Sequence, residues 1–161
     1  MSSFQQVYET YAKPLYRFLL TLTRKEETAE ELLSETFYQA FLHIDRFEGR
    51  CSVYTWLCQI GKNAWLTECR RNKRYPQISY DDLQLPAEGL SLEDQLIRKE
   101  LCAKAWAALQ KLEPPCRDVF IMHAIGEIKL KEIAAVYGKS ESWARVTYFR
   151  AKQKIAEEAL K

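Results

Sequence analysis

Apolar side chains return every three or four positions along most of this chain, the period that an amphipathic α-helix requires. Phe4, Val7, Tyr8, Tyr11, Leu15, Phe18, Leu19 and Leu22 set the pattern first. Leu33, Phe37, Ala40, Phe41 and Ile44 continue it, followed by Val53, Trp56, Leu57, Ile60 and Ala64. Leu92, Leu96, Leu101, Ala108, Leu109 and Leu112 repeat it in the second half. No convincing strand pattern with a period of two interrupts it. With 5 Gly and 5 Pro in 161 residues, the chain has too few turn residues for a loop-rich β protein. The expectation is an all-α protein.

Turn and capping residues divide the pattern. Pro14 is expected to start a new helix at its first turn. Thr28 and Glu31 have the spacing of a capping box, in which hydroxyl and carboxylate satisfy free amides at a helix start. Ser52 and Ser91 stand where each would cap the helix that follows. Residues 75–91 hold Pro76, Asp81, Asp82, Pro86 and Gly89 and read as a flexible tether. Pro114 and Pro115 force a stop and restart. Val119, Phe120, Met122 and Ile125 then mark a short helix ending near Gly126. Two further helices, 130–137 and 141–160, flank Gly138. The organisation expected is a helical domain at 1–74, a linker at 75–91 and a second helical domain at 92–161.

Charge is segregated along the chain. Residues 24–48 hold seven acids against three bases, residues 62–74 five bases against one acid, and residues 129–154 seven bases against two acids. Such segregation suits separate surfaces for a protein partner and for an anion. No apolar run approaches the roughly 18 residues needed to span a bilayer, and no signal peptide opens the chain, so a cytoplasmic protein without membrane insertion is expected. The five cysteines, Cys51, Cys58, Cys69, Cys102 and Cys116, include no Cys-x-x-Cys pair and lack zinc spacing. They read as reduced thiols, with no metal site. There is no phosphate-binding glycine loop and no nucleophile elbow, and the two histidines, His43 and His123, lie far apart. No catalytic residue and no cofactor is expected.

The sharpest constellation lies near the C-terminus. Ile133, Ala134, Gly138 and Ala144 have helix-turn-helix spacing, with Gly138 free to adopt the left-handed backbone of a tight turn. In the next helix Ala144, Tyr148, Ala151 and Ile155 should face the core. Arg145, Phe149 and Lys152 fall on a neighbouring stripe, with Arg150 close by. A basic stripe with an exposed aromatic suits entry into a major groove, where Arg reads guanine edges and Phe meets a thymine methyl. A second basic segment has Arg50, Ser52, Tyr54, Thr55 and Trp56 at its start and Gln59, Lys62, Asn63, Arg70 and Arg71 further on. Aromatics interleaved with bases and amides suit a surface that holds separated strands, although Trp56 and Trp65 also fit a core.

Residues 29–49, 52–74 and 112–155, in that order around a short linker, resemble the extracytoplasmic-function group of sigma factors along nearly the whole chain. The resemblance implies a subunit that directs core RNA polymerase to promoter DNA, held in check by an anti-sigma factor. It places Leu33, Glu35, Thr36, Phe37 and Phe41 in the segment that meets polymerase, although Phe37 and Phe41 also fit a core. It places Arg50, Ser52 and Tyr54 in a loop that receives an unstacked base of the minus-ten element. Lys62, Asn63, Arg70 and Arg71 correspond to positions near the strand backbone. Ser140, Arg145, Phe149, Arg150 and Lys152 correspond to the reader of the minus-thirty-five element. Lys129, Lys139, Trp143, Val146 and Thr147 depart from the family pattern in and around the turn. The alternative from another class is a helix-turn-helix regulator that binds DNA without polymerase, normally as a dimer on a palindrome. A stress or envelope-response regulon is the expected setting.

Overall fold

The computed structural model describes residues 3–72 and 89–161. The helices are α1 (Ser3–Thr23), α2 (Glu26–Leu42), α3 (Val53–Asn72), α4 (Leu92–Lys111), α5 (Cys116–Phe120), α6 (Leu130–Tyr137) and α7 (Glu141–Ala159). A 3-10 turn, Ile44–Arg46, follows α2, and a π turn, Ile121–Ile125, continues α5. No strand forms among the described residues, in keeping with the all-α expectation. As far as residue 88, the tether expected over 75–91 lies outside the described residues.

Two helix starts differ from expectation. α1 runs through Pro14 without a break. An interior proline costs about 3 kcal/mol. Leu15, Leu19 and Leu22 beyond it are fully buried, each worth roughly 1.5–3 kcal/mol, so packing of one continuous face outweighs the lost backbone bond. α2 begins before Thr28, with Lys25 at its N-cap and no side-chain cap. Arg24 takes a left-handed φ of 60°, which reverses the chain directly. The Thr23 hydroxyl donates to the Lys25 carbonyl at 3.1 Å and accepts from its N–H at 3.4 Å. Glu26 and Glu27 then place carboxylates on the positive end of the helix. Ser52 and Ser91 do cap α3 and α4, accepting from the N–H of Thr55 at 3.2 Å and of Asp94 at 3.1 Å.

Helices α1, α2 and α3 pack on one another around Leu19, Leu32, Phe37, Leu57 and Trp65, while α4, α5 and α6 pack around α7. The two halves share one continuous apolar core. Where they meet, Gly126 lies against Phe18. A Cβ there would stand 3.2 Å from Phe18 Cε1 and 2.7 Å from the Met122 carbonyl, so only glycine fits. The Arg24 guanidinium lies 5.8 Å over the Trp106 ring, a second contact between the halves. At the outer end of α4, Leu92, Leu96, Ile97 and Leu101 are exposed, although Leu92, Leu96 and Leu101 fit the helical period as core positions.

Candidate nucleic-acid interface

The turn between α6 and α7 is closed by the backbone. Gly138 holds φ 64° and ψ 32°, and the Lys139 N–H donates to the Ala134 carbonyl at 2.9 Å. Lys129 begins α6 with no side-chain cap. Ser140 caps α7 by accepting from the Trp143 N–H at 3.1 Å, and the Trp143 ring lies 5.5 Å from that of Tyr137. Trp143 therefore covers the turn.

α7 divides into two faces, as its sequence predicts. Ala144 and Ala151 are fully buried, with Thr147 and Ile155 beside them. Tyr148 is half-buried, stacked on Phe120 at 5.6 Å and edge-on to His123 at 4.6 Å. Its neighbour Phe149 is 67% exposed. Arg145 and Lys152 are exposed at i−4 and i+3 from Phe149, and Val146 flanks the same stripe. Arg150 is exposed on the other flank of α7, so the structure groups Arg145, Phe149 and Lys152 and sets Ser140 and Arg150 apart. Arg145 pairs with Glu141 at 3.4 Å, both well exposed. Such a pair contributes little and leaves the guanidinium free to turn toward a base.

The N-terminal basic segment splits. Asn63, Arg70 and Arg71 are exposed on α3. Asn63 and Arg71 line a groove of about 740 Å³ between α2 and α3, together with Glu31, Glu35, Gln39 and Trp56. Arg50 is exposed and pairs with Glu48 at 2.8 Å. Tyr54 is half-buried, its ring 5.9 Å from Tyr11, and its hydroxyl donates to the Pro14 carbonyl at 3.4 Å. Burial, with the Cys58 thiol beside it, pushes the Tyr54 hydroxyl well above the ordinary tyrosine range, so it stays neutral.

Lys62 does not lie on an open strand-facing surface. It is 0% exposed and pairs with Asp118 of α5 at 3.3 Å. Its ammonium also donates to the Tyr137 hydroxyl at 3.4 Å. Asp118 accepts from Tyr137 at 3.5 Å and pairs with Arg117 at 3.3 Å. Burial pulls the Lys62 ammonium below the ordinary lysine range, and the Asp118 carboxylate offsets part of that pull. Ten residues back, the Ser52 N–H donates to Glu132 Oε2 of α6 at 2.8 Å. The sequence gives no local sign of either contact, because the partners are 56 and 80 positions away.

On α2, Thr36 is fully buried and its hydroxyl donates to the Leu32 carbonyl at 2.6 Å. Phe37 is also core, against Phe4 and Tyr8, and Leu33 is half-buried. Two of the five residues expected to meet polymerase, Glu35 and Phe41, are exposed, Phe41 by 61%. Tyr38, Leu42 and Ile44 are exposed alongside them and were missed as surface residues. Taking Leu32 and Thr36 as the inward positions of α2 would have put Tyr38 and Leu42 outside.

Two family models match the chain: Sigma-70 region 2 over residues 7–75 and Sigma-70, region 4 over residues 103–155. The chain is 29% identical to the ECF RNA polymerase sigma factor SigM of Bacillus subtilis over 159 residues, 93% of this chain and 91% of that protein. It is 27% identical to the RNA polymerase sigma factor YlaC of the same organism, over 99% of this chain and 93% of that one. Its fold matches the sigma factor RpoE of Bartonella quintana, solved in complex with the anti-sigma factor NepR, with a TM-score of 0.60, 22% identity, and 98% of this chain and 96% of that one covered. Among the described residues no helix is long and apolar enough to cross a membrane. With both regions present in order, and a basic, aromatic-bearing second helix on the region 4 side, the chain belongs to the extracytoplasmic-function group of the sigma-70 family, non-enzymatic RNA polymerase sigma factors that direct promoter recognition and transcription initiation.

Proposed function

We propose that this sigma factor acts in the cytoplasm through three separate faces. Glu35 and Phe41 of α2, with Tyr38 and Leu42 beside them, dock on core RNA polymerase, while Leu33, Thr36 and Phe37 hold that helix on its core. Arg50, Ser52, Tyr54, Asn63, Arg70 and Arg71, and Lys62 once released from Asp118, hold the melted minus-ten strand. Base unstacking costs a few kcal/mol, which a prepared surface offsets. Arg145, Phe149 and Lys152 of α7 read the minus-thirty-five element, with Ser140 and Arg150 at the phosphates. Residues 1–74 and 92–161 are the two functional domains, joined by the linker at 75–91. An anti-sigma factor restrains the protein, and the regulon is a stress or envelope response.

The observation that supports this reading best is Phe149, exposed between Arg145 and Lys152 on a helix whose opposite side is fully buried. Flanked by two cations at helical spacing, the exposed ring gains an apolar partner when it meets a thymine methyl while the cations meet base edges and phosphates. The test is run-off transcription with core polymerase on a promoter-fragment library. Discrete transcripts that depend on the chain are expected. DNA binding without polymerase-dependent transcripts would instead identify a helix-turn-helix regulator.

A further inference from the structure

α3 carries two groups suited to hold the anionic backbone of a strand. One is the N–H of Ser52 at its start, which no helical carbonyl takes, and the other is the Lys62 ammonium. They stand ten residues apart, about 15 Å along the helix. Both already hold a carboxylate, and both carboxylates come from the C-terminal half of the same chain. Glu132 Oε2 accepts from the Ser52 N–H at 2.8 Å, and Asp118 Oδ2 stands 3.3 Å from Lys62 Nζ. Lys62 is 0% exposed, so in this arrangement neither solvent nor a phosphate reaches it.

The second carboxylate is held in place from several sides. Arg117 Nε lies 3.3 Å from Asp118, and the Tyr137 hydroxyl bridges Asp118 at 3.5 Å and Lys62 at 3.4 Å. The Lys62 ammonium lies 6.0 Å from the centre of the Tyr137 ring. Tyr137 belongs to α6, the first helix of the helix-turn-helix, so the face that covers α3 is part of the upstream-reading domain. The contacts of Gly126 with Phe18 and of Arg24 with Trp106 align the two halves around these pairs.

We infer that the free protein is latched shut, with Glu132 and Asp118 of the C-terminal domain standing in for strand phosphates on α3, so that the domains must part before α3 takes a melted strand. The inference rests on the proposed role of α3. It adds that the competitor for that role is built into the chain. Opening exposes Lys62 and the Ser52 N–H together and frees the helix-turn-helix to move upstream, so one event prepares both readers.

The experiment compares the full-length wild-type chain with the double variant Glu132→Gln, Asp118→Asn, which keeps shape and removes both charges. Two quantities are read without polymerase: the radius of gyration by small-angle scattering, and the affinity for a labelled single-stranded DNA of mixed sequence. The variant is expected to expand, and to bind the single strand roughly tenfold more tightly, the gain when a competent fraction of about one tenth becomes nearly all. Lys62→Gln is expected to expand likewise but without that gain, because it removes the strand's own partner. If the double variant loses the wild-type far-UV helical signal, Tyr137→Phe removes only the bridging hydroxyl and is expected to shift both quantities in the same direction by less. A folded variant that neither expands nor binds more tightly overturns the latch, and so does one that expands with unchanged affinity. Run-off transcription by the same chains keeps the two readings apart. If neither chain supports it, the proposed function fails, and the scattering still decides whether the latch exists.

Discussion

Tyr148 and Phe149 are chemically similar neighbours with opposite surroundings. One is packed on Phe120 and His123, and the other is exposed between two cations. Tyr148→Ala is expected to lower stability by about 2–4 kcal/mol, as a core truncation does, and Phe149→Ala to leave the melting curve almost unchanged while weakening promoter binding. Arg145→Ala is expected to cost on the order of 1–3 kcal/mol on the true promoter and to relax the choice of base at one position. Lys152→Ala should instead weaken all DNA about equally and lower the salt slope by about one. Melting curves with binding titrations at several salt concentrations check all four, and a neutral Tyr148→Ala would invert the assigned faces. These faces were legible in the sequence because they depend only on local period. Lys62 was not, because its burial depends on Asp118, far along the chain. Cys58 shows a similar effect of burial. Fully enclosed beside Tyr54, its thiol is pushed from 9.0 up to about 12. The neutral thiol therefore contributes stability that is complete below pH 9 and lost as pH rises toward 12, at most about 1.4 kcal/mol per pH unit. Lys62 is shifted in the opposite sense but is common to wild type and Cys58→Ala, so it cancels in their comparison. The denaturation midpoint of the wild type is expected to fall more steeply above pH 9 than that of Cys58→Ala, and parallel curves would refute the assignment.

At the level of elements, the order of the helices from α2 onward was legible because apolar period and capping residues both point to them. The starts at Pro14 and Thr28 were not. A proline's local preference was overruled by Leu15, Leu19 and Leu22 on one buried face, and Arg24 turned the chain before the Thr28 capping box was reached. α2 shows the same limit. Its apolar residues were legible as a set, but packing against α1 and α3 separated buried Phe37 from exposed Phe41. The exposed side of α2, with Glu35, Tyr38 and Leu42, therefore lies away from the apolar stripe that the sequence shows. Glu35→Lys with Phe41→Ala is expected to abolish co-elution with core polymerase while leaving the far-UV helical signal intact. Phe37→Ala should instead destabilise the protein by about 3–5 kcal/mol. Gel filtration with core polymerase separates these outcomes, and retained co-elution of the double variant would move the docking face elsewhere.

In the whole molecule, the two halves share one core and a buried ion pair. Sequence composition predicted two domains on a tether but not whether they pack, since that contact consists of single residues distant in the chain. A shared core makes unfolding cooperative across both halves. Calorimetry is expected to show one transition for the wild type and two for the Glu132→Gln, Asp118→Asn chain, in which each half melts separately. Two transitions in the wild type would show the interdomain contact to be too weak to couple them. Asp118→Ala, like Asp118→Asn, leaves Lys62 without its carboxylate partner and is expected to cost about 3–5 kcal/mol as long as the halves stay packed.

The Glu132 and Asp118 carboxylates are tethered to the surface they cover, so they compete at an effective concentration that short linkers raise to the millimolar range. Chromosomal DNA offers on the order of 10⁶–10⁹ non-specific sites, to which such proteins bind with dissociation constants of roughly 10⁻⁴–10⁻⁶ M. A closed chain withholds Lys62 and the Ser52 N–H from that reservoir, while Asn63, Arg70 and Arg71 stay exposed, and more of it remains available in solution. The ligand that opens it must engage both halves at once, as a large multisubunit enzyme does and a stretch of bare duplex does not. The Lys62–Asp118 pair thereby acts as a filter on where in the cell the factor is spent.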